Sequence, residues 1–224
     1  QLLVPATAEI IIEGEVVPKV RTSEGPHGES PGFYAHSDLA FLINVTFITH
    51  RKNPLSYGLI CRQHEDYPKW LFTDAFLESN SHIKQITDIY IPDHVGASHA
   101  LMAVIGVRVN SPEEVDHVIH NLRGAPEAYD NRMPRWTILV DEDCDVRNWD
   151  DVLWRVMQGV MPDVHMQVGP RDRPSPHDPL TDLYGGKTSS VVIDATFRAK
   201  RGPGGEIVRF KPVCKVTNEL QSRI

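Results

Sequence analysis

Glu24-Gly25-Pro26-His27-Gly28-Glu29 is the stretch on which the reading of this chain turns. Two carboxylates stand five residues apart in a segment shaped by two glycines and a proline. Glycine opens backbone angles closed to other residues, and proline fixes one φ, so the segment reads as a built turn rather than slack chain. On its N-terminal side runs Glu9-Ile-Ile-Ile-Glu13-Gly-Glu15-Val-Val-Pro18, a strand or hairpin pattern in which Ile10, Ile12 and Val16 share one side. On its C-terminal side residues 39–49 form the strongest strand signal in the chain. Their near-continuous apolar character predicts burial on both faces. Residues 21–38 between these runs read as a Gly/Pro/Ser loop on a β scaffold, where reacting groups are commonly placed.

From spacing alone, Glu24 and Glu29 have two readings. They are a coupled acid/base pair, one keeping its proton because two close carboxylates in a dry site cannot both ionise. Or they are solvated acids on a surface turn.

The chain has 224 residues, 24% charged and 41% hydrophobic, with a net charge of −7. That length supports a sizeable core in one large or two small domains. The acidic balance, without a Lys/Arg-rich patch, argues against nucleic acid as a partner. No apolar run reaches the roughly 18 residues of a membrane span, and no signal peptide is visible. Cys61, Cys144 and Cys214 are odd in number and far apart, which reads as free thiols in a reducing, cytoplasmic setting. The start at Gln1, running straight into strand pattern, suggests a piece of a longer protein.

Beyond residue 60 the pattern alternates. Residues 68–86 have helical spacing, 88–92 and 100–109 read as strands, and Ser111-Pro-Glu-Glu114 opens a helix that ends at Gly124. Residues 136–140 read as a strand, 148–160 as a helix, 162–187 as irregular, and 190–197 as a last strand before a polar, mobile tail. The expected class is α+β. Residues 1–60 belong to a partial β-barrel, and 61–200 to an α/β sandwich with helices on one face, ferredoxin-like in spirit, followed by the tail 201–224.

Other chemical candidates are weaker. His117 and His120 at i, i+3 have metal-ligand spacing but no further ligand cluster, so a solvated helix face is the simpler reading. Cys61-Arg-Gln-His64 is a weaker case of the same kind. Asp141-Glu-Asp-Cys-Asp145 lacks the glycine and terminal Glu of a calcium loop and reads as a strand end and helix cap. Gly202-Pro-Gly-Gly205 is a plain turn. No metal site is expected in this chain.

Taken together, several segments resemble the UbiD family of decarboxylases. They are Val4-Pro-Ala-Thr-Ala-Glu-Ile-Ile-Ile-Glu-Gly-Glu15, Glu24-Gly-Pro-His-Gly-Glu29, Gly32-Phe-Tyr34, Ile48-Thr-His-Arg-Lys-Asn-Pro54, Val140-Asp-Glu-Asp-Cys-Asp145, Asp151-Val-Leu-Trp154 and Ile193-Asp-Ala-Thr196. The resemblance implies a split, flavin-binding type of β-barrel and a carboxy-lyase that uses prenylated FMN. The reaction would add or remove CO₂ at a small aromatic or α,β-unsaturated carboxylic acid. It implies a catalytic trio of an arginine and two acids, the acids matching Glu24, which pairs with the arginine, and Glu29, which transfers the proton.

The arginine, and the ligands of a divalent metal (manganese) and potassium on the cofactor phosphate, belong to a preceding half of the family's chain. By that reading this chain alone is an incomplete enzyme, needing an N-terminal half or partner subunit, and a homo-oligomer is expected. A rival reading makes it a non-catalytic assembly subunit. The resemblance also places Trp70 and Phe72, on the 68–86 helix, in the substrate pocket, although ordinary core aromatics fit their pattern too. His27 stands where the family often has Phe, and residues 129–135 lack a lysine that some members place near the cofactor phosphate. His177, in Pro174-Ser-Pro-His-Asp-Pro179, lies on a segment that reaches the substrate and is polar here, which points to a polar or hydroxylated acid.

Overall fold

β-branched and aromatic residues dominate the chain from Ile10 to His50, and they form two long antiparallel strands, β1 (Ile10–Gly28) and β2 (Tyr34–His50). The structure, a computed structural model, describes residues 3–28, 33–56, 58, 73, 77–78, 80–92, 101–123, 134–171, 179–208 and 210–211.

Pairing continues through most of the stretch expected to be a loop, and only residues 29–32 lie outside the described chain there. The ribbon absorbs the awkward residues as register shifts instead of breaking. One shift spans Val16 to Arg21, where Pro18 has no N–H to give the ladder and Lys19 has φ +60°. Two more flank Glu24. Gly25 shows why pairing survives here: its φ is +93°, and a Cβ on it would lie 2.7 Å from the Ala35 carbonyl oxygen. Only glycine allows that approach of the two backbones.

The expectation that 39–49 is buried on both faces fails. No described residue of the ribbon is buried, and Phe41 and Phe47 remain 64% and 59% exposed. An apolar run shows that a strand wants cover; the cover itself must come from elements packed on each face, and the described residues place none on this ribbon.

The second unit is a five-stranded mixed sheet in the order β3-β4-β5-β7-β6. Its strands are β3 (Ile86–Tyr90), β4 (Met102–Val107), β5 (Trp136–Asp141), β6 (Met166–Val168) and β7 (Val191–Asp194). The central β4, β5 and β7 run parallel, and both edges are antiparallel. Helix α1 (Pro112–Arg123) is opened by a reciprocal cap: Ser111 Oγ accepts from Glu114 N at 3.4 Å, and Glu114 Oε2 accepts from Asn110 N at 2.7 Å. Helix α2 (Trp149–Gly159) has Asn148 as N-cap, accepting from the amides of Asp150 and Asp151.

These helices lie on opposite faces, which corrects the one-faced, ferredoxin-like expectation. Val115, Val118, Ile119 and Leu122 of α1 pack on Ile105, Val107, Leu139 and Val192. Val152 and Val156 of α2 pack on Val104, Ile138 and Val140. Successive residues of a strand point to opposite faces, so the unbroken apolar runs of β4 and β5 need cover on both sides.

Smaller differences follow from short signals. The helix expected over 68–86 ends earlier: Thr73, Leu77 and Glu78 are helical, but 80–85 are turns closed by Ser81 N to Glu78 O and Ile83 N to Asn80 O, and the strand begins at Ile86. The segment 162–187, expected to be irregular, contains α3 (Pro162–His165), edge strand β6 and α4 (Pro179–Leu183). β7 is not the last strand. Lys200–Arg201 (β8) and Ile207–Val208 (β9) form a hairpin closed by the Gly202–Gly205 turn, and Phe210 stacks on Phe197 with centroids 4.3 Å apart. No helix among the described residues is long and apolar enough to cross a membrane.

Candidate active site

Glu24 sits at the distal end of the ribbon, opposite Ser37, and is exposed. His27 follows three residues later, opposite Ala35, also exposed. Its ring turns toward Gly25: a Cβ on that glycine would lie 3.3 Å from His27 Nδ1. The structure therefore gathers Glu24 and His27 at one end of a stiff two-stranded element. Glu29, Trp70, Phe72 and His177 lie outside the described residues.

Beside Glu24 the ribbon offers open apolar faces, with Phe41 under the Arg21 guanidinium at 4.0 Å. Such a wall suits the flat, largely apolar ring of a flavin. The donors that would hold a phosphate and its metal are a different matter. Among the described residues no group of three or more His, Cys, Asp or Glu is arranged to hold a metal ion. Among the described residues the ribbon thus offers an open apolar wall beside Glu24.

The acidic run 141–145 is structural. Burial pushes the Asp141 carboxyl up, opposed by the Phe197 and Arg198 amides and the Arg155 guanidinium. Those amides donate to it at 2.6 and 3.4 Å. Arg155, only 5% exposed at its side chain, meets Asp141, Asp143 and Asp151 at 3.3, 3.2 and 3.3 Å. The cluster fastens α2 and the 195–199 segment to the end of β5. No sequence motif marks Arg155; its i, i+4 spacing from Asp151 is the local signal it carries. Buried Lys200 supports the same corner, its Nζ donating to Asp194 O at 2.6 Å, with burial pulling its pKa down. His117 and His120 are exposed on α1, as the simpler reading held, and the 61–64 motif lies outside the described residues.

The Rift-related domain model of 3-octaprenyl-4-hydroxybenzoate carboxy-lyase matches residues 1–64, and the C-terminal domain model of the same enzyme matches 70–195. The chain belongs to the UbiD family.

Solved structures agree on the fold. Vanillic acid decarboxylase of Sedimentibacter hydroxybenzoicus in its open form superposes with TM-score 0.77 at 24% identity, covering 98% of this chain and 46% of that one. The UbiD-class enzyme HmfF from Pelotomaculum thermopropionicum, in complex with FMN, gives 0.71 at 23%, covering 93% and 45%. The 3,4-dihydroxybenzoic acid decarboxylase of Enterobacter cloacae gives 0.67 at 22%, covering 92% and 45%. The chain spans less than half the length of each of these structures.

Proposed function

We propose that this chain supplies the two catalytic acids, Glu24 and Glu29, of a UbiD-type non-oxidative (de)carboxylase acting on an aromatic or α,β-unsaturated carboxylic acid with prenylated FMN. The observation that supports it is Glu24, pinned at the end of the ribbon within the segment matched by the family's Rift-related domain. In this reading residues 1–60 contribute strands to a split barrel and 61–200 form the C-terminal domain.

When bound, the flavin would supply a reactive ring that stabilises the charge developing at the substrate carbon. The chain's residues handle the proton. Loss of CO₂ breaks the carbon–carboxylate bond, and its electron pair stays on the substrate carbon. Glu29 then delivers one proton to that carbon and is recharged from solvent; the carboxylation direction reverses this. Glu24 holds an arginine supplied from outside the described residues, which in turn orients Glu29 and the acid. His27, Trp70, Phe72 and His177 contribute to the substrate pocket. The manganese and potassium on the cofactor phosphate are expected to be held outside this chain.

The test is CO₂ release from a panel of aromatic and cinnamic acids with reconstituted prenylated FMN. The purified 224-residue chain is assayed alone and assembled with the remaining half of a UbiD-length enzyme. Turnover is expected only in the assembly. An assembly that retains the cofactor yet releases no CO₂ from any acid overturns the reading.

A further inference from the structure

Helix α2 turns only part of its apolar surface to the sheet. Val152 and Val156 pack there, while Leu153, Trp154 and Met157, with Met161 just beyond the helix, are exposed, Met157 at 76%. Spacings of three and four residues set Trp154, Met157 and Met161 on one stripe, about 10 Å long at 1.5 Å per residue, with Leu153 beside it. The outer face of a solvated helix normally carries polar side chains, so an apolar stripe of this kind marks a contact surface.

The chain returns to this stripe after β9. Gly159 has no side chain, and a Cβ on it would lie 2.5 Å from Phe197 Cε1, so the Phe197 ring lies against the last turn of α2. Trp154 meets that ring edge-on, with centroids 5.4 Å apart, and Phe210 stacks on it at 4.3 Å. The row Trp154, Phe197, Phe210 thus brings the chain at residue 210 to α2. Residues 212–224 follow directly and lie outside the described residues.

Their sequence has a helical period. Val213, Val216, Leu220 and Ile224 recur at three, four and four residues, with Lys215, Asn218 and Ser222 on the opposite side. Pro212 suits a first turn, and Glu219 stands four residues before Arg223, the favourable order for a helical ion pair. The charges are complementary as well. Lys211, Lys215 and Arg223 outnumber Glu219, and exposed Asp150 and Asp163 stand at the two ends of the α2 stripe.

We propose that residues 212–224 dock as an amphipathic helix on the exposed stripe of α2 in the same chain, their valines, leucine and isoleucine covering Trp154, Met157 and Met161. Flexible methionine side chains suit such a contact, because they fill the gaps left by branched partners. The short tether from Phe210 favours the chain's own segment over a second copy, by high effective concentration. Neither Glu24 nor Glu29 is involved, so the proposal stands or falls apart from the decarboxylase reading.

The experiment follows amide hydrogen exchange by mass spectrometry in the full chain as wild type, Met157→Glu, Leu220→Glu and Ser222→Glu. In the wild type, amides 216–224 are expected to exchange at least about tenfold more slowly than an unstructured peptide. Met157→Glu and Leu220→Glu should each remove that protection by placing a charge in the contact, and Ser222→Glu should keep it. Peroxide reads the other side of the contact: Met157 is expected to oxidise more slowly in the wild type than in Leu220→Glu. Amides of β4 and β5, protected alike in all four proteins, show that the fold is kept. Unprotected 216–224 in the wild type, or protection indifferent to Met157→Glu, overturns the proposal. So does protection that returns when Met157→Glu and Leu220→Glu chains are mixed, because the segment then crosses to a second copy.

Discussion

Glu24 stands directly opposite Ser37 and is the single paired position between two register shifts of the ribbon. Regular pairing on both sides would make it one more residue in an alternating ladder. Pinned between irregularities, it keeps a fixed backbone position while its neighbours bend away.

The first prediction concerns the acids of the assembled enzyme. Glu29→Gln keeps shape and hydrogen bonding but has no proton to transfer, and removing a positioned general acid costs about 10²–10⁴-fold in rate. Glu24→Gln is also slow, through a misplaced arginine. Glu13→Gln, opposite Phe47 and well away from the Glu24 end of the ribbon, is the control. Decarboxylation rate and cofactor absorbance are measured together, with absorbance expected to survive in all three. A Glu29→Gln enzyme within a few-fold of wild type, beside an inactive Glu13→Gln enzyme, would move the chemistry to the strand acids.

The ribbon should not stay bare in solution. Leu39, Phe41, Ile43, Val45, Phe47 and Ile48 are all exposed, and monomeric proteins rarely show contiguous apolar surface of that kind. Sedimentation at micromolar concentration is expected to show a self-associated species or one bound to a partner chain, and Phe41→Ser with Phe47→Ser should weaken it. A monodisperse wild-type monomer would sink the idea.

Arg155→Ala is expected to destabilise the chain by about 3–5 kcal/mol in urea unfolding, because it leaves buried Asp141 with a charge and no guanidinium. A loss below about 1 kcal/mol would mean that the amides of Phe197 and Arg198 satisfy Asp141 by themselves.

Burial pushes the Cys144 thiol up to about 12 from an ordinary 9.0. The unfolded thiol ionises first as pH rises, so unfolding releases a proton, and stability from this group is full below pH 9 and lost on the way to 12. Native Cys144 should resist alkylation at pH 8 in peptide mapping and react once urea unfolds the chain. Rapid native labelling of the Cys144 peptide would contradict its burial.

What the sequence disclosed, and what it hid, divides along physical lines. Local signals read well: the Ser111 and Glu114 cap predicted α1, and the polar Asn148 predicted the start of α2. Relations between distant segments read poorly. The apolar run of β2 says that cover is wanted, not whether cover is present. Gly25, Pro26 and Gly28 suggested a loop because each disfavours a regular strand, yet shifts of register let the ladder pass them. β6 has three residues, too few for any period to show. Of the expected site, Glu24 and His27 take up a shared end of the ribbon, whereas Arg155 declares itself only when three separated acids meet around it.

The ribbon also has a history within each molecule's synthesis. It leaves the ribosome ahead of the sheet that follows, and at about 5–20 residues per second the roughly 150 residues from His50 to Arg201 take about 8–30 s. Through that interval it has two greasy faces and two open edges, the geometry from which neighbouring nascent chains stack into aggregates. Glu13, Glu15, Lys19 and Arg21 interrupt it with charge, and the break in register between Val16 and Arg21 denies a second copy a long straight edge to extend. Such breaks in register would act during translation as well, limiting how far a second nascent copy can extend the ribbon's edge.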